Sequence, residues 1–193
     1  MPRLISHPIS VAFAVSLALA APAVVATRAQ TGGPLRFAIS FPAARSAQPL
    51  DGRVLLFISD DGKTEPKSQS DQYRASSTRP IFGVDVDAMA PGQAVLIDDT
   101  VVGWPARSLK DIPAGEYYVQ ALLNRYETFR RSDGHTVKMP MDQGEGQHWD
   151  IKPGNFYSKS LKIRIDPAGG GEVRISLDQE IPRRSHRTRT RRR

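Results

Sequence analysis

Leu109-Lys110-Asp111-Ile112-Pro113-Ala114-Gly115-Glu116-Tyr117-Tyr118-Val119-Gln120-Ala121-Leu122-Leu123 is the stretch that decides the fold. Pro113 and Gly115 shape a turn. Beyond it Tyr117, Val119, Ala121 and Leu123 fall at period two, the spacing that puts side chains on one face of a strand. The pattern Leu-x-x-Ile-Pro-x-Gly-x-Tyr-x-Val-x-Ala marks entry into a sandwich strand. The tyrosine then packs at the corner and bonds its hydroxyl to nearby backbone, in the manner of a tyrosine corner.

Working outward, the same strand grammar recurs. Leu35 to Phe41 alternates, and Val54 to Ile58 is a continuous apolar run suited to a central strand. Ile81 to Asp87 alternates again, with Phe82, Val84 and Val86 on one side. Gln93 to Ile97, Phe156 to Ile165 and Glu172 to Leu177 complete about seven strands. Asp166 to Gly171 reads as a hairpin turn between the last two. Gly62 to Pro80 and Arg125 to Asn155 read as long polar loops. No amphipathic helix and no internal repeat is evident, so the expectation is an all-β fold, a single sandwich domain of residues 30–182.

Residues 1–29 precede that domain with the order of an export signal. Arg3 supplies a basic start, Ile9 to Ala26 an uncharged apolar run, and small residues an exit after Ala20, Ala26 or Ala29. A retained membrane anchor is the competing reading, since a span needs about 18–20 apolar residues. Pro22, Ser10, Ser16 and the alanine-rich end argue for a cleaved signal peptide. The expected product is exported, periplasmic or extracellular, with no membrane attachment after cleavage. Roughly 164 residues would remain, enough to bury roughly 70% of the unfolded surface in one core.

The chain has no cysteine. Disulfides, a lipid-anchored cysteine, thiolate metal sites and thiol catalysis are therefore excluded. The formal net charge of +7 is unevenly placed. Residues 183–193 hold seven arginines and no acid, whereas residues 30–182 hold 18 basic and 20 acidic residues, a formal charge of −2. The folded part lacks the basic face of a nucleic-acid binder, so no specific nucleic-acid partner is expected. The Arg-rich tail has nothing apolar to fold around and reads as disordered.

The densest polar chemistry lies between Asp133 and Asp150. His135 and His148, with Asp133, Asp142, Glu145 and Asp150, offer nitrogen and oxygen ligands, yet their spacing fits no zinc or EF-hand pattern. A glycine-bearing surface loop is the plainer reading, and no cofactor is expected. Gly-x-Ser-x-Gly is missing, and Ser132, Asp133 and His135 lie too close in sequence to form a triad. Asp85/Asp87 and Asp98/Asp99 sit at strand ends and turns, where solvated acids are ordinary. Tyr117, Tyr118, Tyr126, Phe129, Trp104 and Trp149 could form a binding face for sugar or peptide. Core packing is the alternative, preferred for Tyr117. Trp104 and Trp149, in polar loops, are the better binding candidates. The candidate binding set is thus Trp104, Tyr126, Asp133, His135, Asp142, Glu145, His148 and Trp149.

Several runs together resemble one family. They are Pro80 to Val86, Leu109 to Phe129, Asp133-Gly134-His135-Thr136-Val137 and Met139-Pro140-Met141-Asp142-Gln143-Gly144-Glu145-Gly146-Gln147. They resemble the N-terminal region of a family of secreted bacterial esterases, across roughly residues 35–182. The resemblance implies an Ig-like β-sandwich that precedes a larger α/β-hydrolase domain carrying the nucleophile. No catalytic residue of the family falls on a matching position here. The implied role is a non-catalytic accessory module, with the hydrolase domain encoded downstream as its partner. The composition changes abruptly after Pro182, and a frameshifted or truncated remnant is the expectation for the Arg-rich tail. The alternatives are a glycan-, peptide- or metal-binding module that uses the 125–155 loop, and a small hydrolase with unrecognised carboxylate chemistry.

Overall fold

The computed structural model describes residues 33–70, 77–142 and 144–183. The leader 1–29 and all of the Arg-rich tail beyond Arg183 lie outside the described residues. Among the described residues twelve strands follow in order: β1 (Arg36–Ser40), β2 (Leu50–Ser59), β3 (Ile81–Met89), β4 (Val95–Ile97), β5 (Gly103–Trp104) and β6 (Gly115–Arg125). Then come β7 (Glu127–Arg130), β8 (Thr136–Met139), β9 (Phe156–Tyr157), β10 (Leu161–Ile165), β11 (Glu172–Ser176) and β12 (Gln179–Glu180). Two single-turn 3-10 helices, Pro66–Ser68 and Leu109–Asp111, are the helical elements among the described residues. The chain is therefore mostly β, as its alternation predicts.

Two sheets enclose the main core. The smaller has the order β11-β1-β4, with β1 parallel to β11 and antiparallel to β4. The larger has the order β12-β9-β6-β2-β3-β5, and β10 also pairs with β6. Period-two patterning decides what each strand delivers inward. Phe37, Ile39, Val173, Ile175 and Ile97 come from the smaller sheet, and Val54, Leu56, Ile58, Phe82, Val119, Ala121 and Leu123 from the larger. Phe41 and Phe156 meet between them as a tilted aromatic pair, 6.0 Å between centroids. Each large apolar side chain so buried contributes about 1.5–3 kcal/mol.

The deciding stretch performs as its sequence suggests. Ser108 caps the Leu109–Asp111 turn by accepting from the Lys110 amide, and the Asp111 carboxylate accepts from the Ser108 amide at 2.9 Å. This capping box satisfies donors that a helical turn leaves unpaired. The turn buries Leu109 and Ile112 in the core and launches β6. The Tyr117 hydroxyl then donates to the Pro113 carbonyl at 3.0 Å, closing the corner.

Three expectations need correction. Asp166 to Gly171 does not form a hairpin, because β10 joins the larger sheet and β11 the smaller. The glycine-rich segment crosses between layers, so that Ile165 and Val173 reach the core from opposite sides. Phe156 to Ile165 is two strands, not one. At the break Ser158 substitutes for the ladder, its hydroxyl accepting from the Ala121 amide at 3.0 Å and its own amide donating to the Ala121 carbonyl at 2.9 Å. Finally, the polar segment 125–155 contains a third, two-stranded sheet, β7 against β8. Its strands lean on each other rather than on the core, which is why no long apolar alternation announces them.

The outer face of the larger sheet is covered in part. Leu55, Phe57 and Leu122 point away from the main core and meet Ile181, Trp149, Tyr157 and Ile81 in a second, smaller cluster. The run Val54–Ile58 is apolar throughout because β2 lies between β3 and β6 with both of its faces covered.

Candidate functional site

The outer face of β3, β2 and β6 is a grid set by register. Ile81, Phe57 and Gln120 form one row, followed by Gly83, Leu55 and Leu122, then Asp85, Arg53 and Asn124. Apolar rows lie under the second cluster, and charge accumulates at the far end. There the Arg53 guanidinium donates to Asp85 at 2.8 Å, and the Tyr126 hydroxyl donates to the same carboxylate at 3.2 Å. A register irregularity between Leu50 and Gly52 brings Asp51 beside them. Asp51 accepts from the Ala88 amide at 2.8 Å, and its carboxylate faces Lys138 of β8 at 3.0 Å. Lys138 also donates to Asp87 at 2.8 Å.

The electrostatics follow from these bonds. The Ala88 amide, then Lys138, holds the Asp51 carboxyl below its ordinary range. Asp87 and Asp51 raise the Lys138 ammonium. Partial burial, then the Asp85 charge, raises the Tyr126 phenol. Every carboxylate in the group therefore has a cation or a donor of its own.

A second polar group lies under the loop that follows β8. Gln120 is fully buried. Its carbonyl accepts from the Lys67 amide at 3.0 Å, and its amide donates to the Ser158 carbonyl at 2.9 Å and to Glu65 at 3.2 Å. Lys67 pairs with Glu65 at 2.7 Å and lies 5.1 Å from the Tyr157 ring centroid. Asn155, also fully buried, accepts from the Arg125 amide and donates to Asn124 and to the Trp149 carbonyl. Lys152 donates to the Arg125 carbonyl at 2.6 Å, and burial pushes its amine below the usual lysine range. These bonds bind the 149–158 segment to β6 and meet the requirement that buried polar groups be paired.

The eight residues expected from sequence are dispersed. Trp104 stands on β5, at the edge of the larger sheet and opposite Ile81, with 41% of its surface exposed. Tyr126 belongs to the charged end just described. Asp133 and His135 sit together in the β7–β8 turn, His135 Nδ1 3.2 Å from the Asp133 carboxylate, with Arg131 on its other oxygen at 3.0 Å. Asp142 accepts from the Gly144 and Gly146 amides, forming a turn. Glu145 and His148 lie on the following bend, where the His148 amide donates to the Glu145 carbonyl. Trp149 is half-buried, tilted over Phe57 with ring centroids 6.5 Å apart. Among the described residues no three His, Asp or Glu side chains converge closely enough to hold a metal ion.

Sequence reasoning missed Asp51, Arg53 and Lys138 and treated Asp85 and Asp87 as solvated acids. The alternation Asp85-x-Asp87 was a usable signal, since it places both carboxylates on one face of a strand. Lys138 carried none, because its partners lie 51 and 87 residues earlier along the chain. Among the described residues no helix is long and apolar enough to cross a membrane. Compared with protein-family models, curated proteins and solved structures, the chain matches none.

Proposed function

We propose that this chain is an exported, non-catalytic accessory module with an Ig-like β-sandwich fold, akin to the N-terminal region of secreted bacterial esterases. Its partner on this reading is an α/β-hydrolase domain encoded downstream. One observation carries the proposal: among the described residues, the carboxylates gathered at the charged end of the larger sheet and in the β7–β8 turn are paired with cations or donors that hold the fold. Asp85 is held by Arg53 and Tyr126, Asp51 and Asp87 by Lys138, and Asp133 by Arg131 and its own turn. Each of these carboxylates thus links neighbouring strands or shapes a turn, the role an ordinary surface acid fills.

The purified chain should release no product from p-nitrophenyl esters above the uncatalysed rate. Turnover that survives repurification and scales with protein would defeat the reading. Export is tested separately, by fusing residues 1–29 to an alkaline phosphatase that is active only outside the cytoplasm. Activity is the expected result, and a silent fusion would refute it.

A second reading is favoured by Trp104, whose exposed ring at a sheet edge is a ready stacking surface for a glycan or peptide. A ligand that binds the native state alone raises its melting temperature. A shift with soluble oligosaccharides that disappears in Trp104→Ala would move the assignment to a binding module.

A further inference from the structure

The β7–β8 hairpin stands apart from both main sheets. Among the described residues its strands pair with each other, Glu127 opposite Met139 and Arg130 opposite Thr136. Phe129, Val137 and Met139 share one face and join neither apolar cluster. The opposite face carries Thr128, Arg130, Thr136 and Lys138, and β8 lies against β2. Attachment to the body is thus polar, and Lys138 makes its principal bonds, 3.0 Å to Asp51 and 2.8 Å to Asp87.

The two ends of the hairpin are tethered differently. At the entry the Tyr126 amide donates to the Asp51 carbonyl at 2.9 Å, and its hydroxyl bonds Asp85. At the exit Pro140 leads into the Asp142 turn, where Gly144 and Gly146 take positive φ. A pinned entry, a glycine-bearing exit and the Lys138 ion pairs between them, with Glu127 at the entry also facing the Lys152 charge, are the parts of a hinge with a catch.

We propose that the β7–β8 hairpin is a hinged arm, latched across the charged end of the larger sheet by Lys138 between Asp51 and Asp87. The arm is closed while both ion pairs hold and opens about Tyr126 when they are screened. Lys138 faces Asp51 from β2 and Asp87 from β3, with Arg53, Asp85 and Tyr126 one row further along the sheet. Exposed ion pairs are individually weak and salt-sensitive, so a catch of this kind sits near balance. Opening would uncover Asp51, whose side chain is 24% exposed, and would leave it and the already exposed Asp87 without their shared cation.

The absence of native cysteine allows a direct test. Spin labels on Ser132→Cys at the hairpin tip and Arg164→Cys on β10 report their separation by double electron–electron resonance. At low salt one narrow distance distribution should dominate, with a minor open population beside it. About 1 M salt, where the Debye length is about 3 Å, should enlarge that minor population, as should Lys138→Met. The minor population is expected to grow about fivefold, the scale of an exposed charge pair. Lys138→Arg should restore the closed distribution. Asp87→Asn provides an independent second variant, and circular dichroism checks that each variant is folded. Distributions in Lys138→Met and Asp87→Asn that match the parent at every salt concentration would overturn the proposal.

Discussion

Asn155 and Tyr117 show how differently two polar side chains are written into this sequence. Tyr117 is announced by Ile-Pro-x-Gly-x-Tyr, because a proline turn, a glycine and a strand start in fixed order leave the ring one place to go. Its hydroxyl bonds the Pro113 carbonyl near solvent, so Tyr117→Phe should cost only about 0.5–1.5 kcal/mol in urea unfolding. Asn155 has no local signature. Its three partners, Asn124, Arg125 and Trp149, are brought to it by the docking of the 149–158 segment on β6. Asn155→Ala strands the Arg125 amide and the Trp149 carbonyl, and should cost about 2–4 kcal/mol, since each buried orphan costs about 1–3. A loss below 1 kcal/mol would mean that water reaches the site. Trp149 was legible as an aromatic in a polar loop, but its partner Phe57 lies 92 positions away, so its packing role was not.

The central elements were the legible ones. β2, β3 and β6 carry their apolar residues at the spacing their burial demands, and each was recognisable from alternation or from an unbroken apolar run. The termini of elements were less so, because bulges depend on the neighbouring strand. Gly52 marks one. It lies at the irregularity in β2, and a Cβ there would overlap the Asn124 carbonyl oxygen and crowd Leu123. Gly52→Ala should destabilise by about 1–3 kcal/mol, the cost of overpacking against fixed backbone. It should also loosen Asp51, the next residue, and so speed amide exchange at Ala88, which Asp51 caps. Unchanged exchange there with reduced stability would separate the two effects. The β7–β8 hairpin and the β10–β11 crossover were misread for a shared reason. Short polar strands and glycine-rich links take their meaning from what they pair with, and pairing is not local.

At the scale of the whole molecule, charge is spread as paired ladders over the sheet surfaces. Glu116 pairs with Lys162 across β6 and β10 at 2.8 Å, and Glu172 bridges Arg36 and Arg174 at 2.9 Å each. Lys110 pairs with Asp99 beside the turn that launches β6. The Lys162 hydrogen bond lowers the Glu116 carboxyl, Arg174 lowers Glu172, and the Thr100 hydroxyl lowers Asp98, alongside Asp51. Lowered carboxyls bind protons more readily in the unfolded chain. Their stabilisation is complete above the unfolded values, about 3.9 for Asp and 4.3 for Glu, and is lost as pH falls through the folded ones. Lys110, Lys138 and Lys162 are raised by Asp99, Asp87 and Glu116. Their contribution is complete below about 10.4 and is lost as pH rises through the folded values. These pairs make stability fall on the acid and alkaline sides, whereas Lys152, whose amine burial lowers, acts with the opposite sign, its penalty being relieved as pH rises toward about 10.4. Melting temperatures across pH 2–11 check the shape. Because the pairs are exposed, about 1 M salt should flatten both flanks. A profile that tilts strongly through pH 6–7 would instead implicate a histidine whose ionisation the fold depends on.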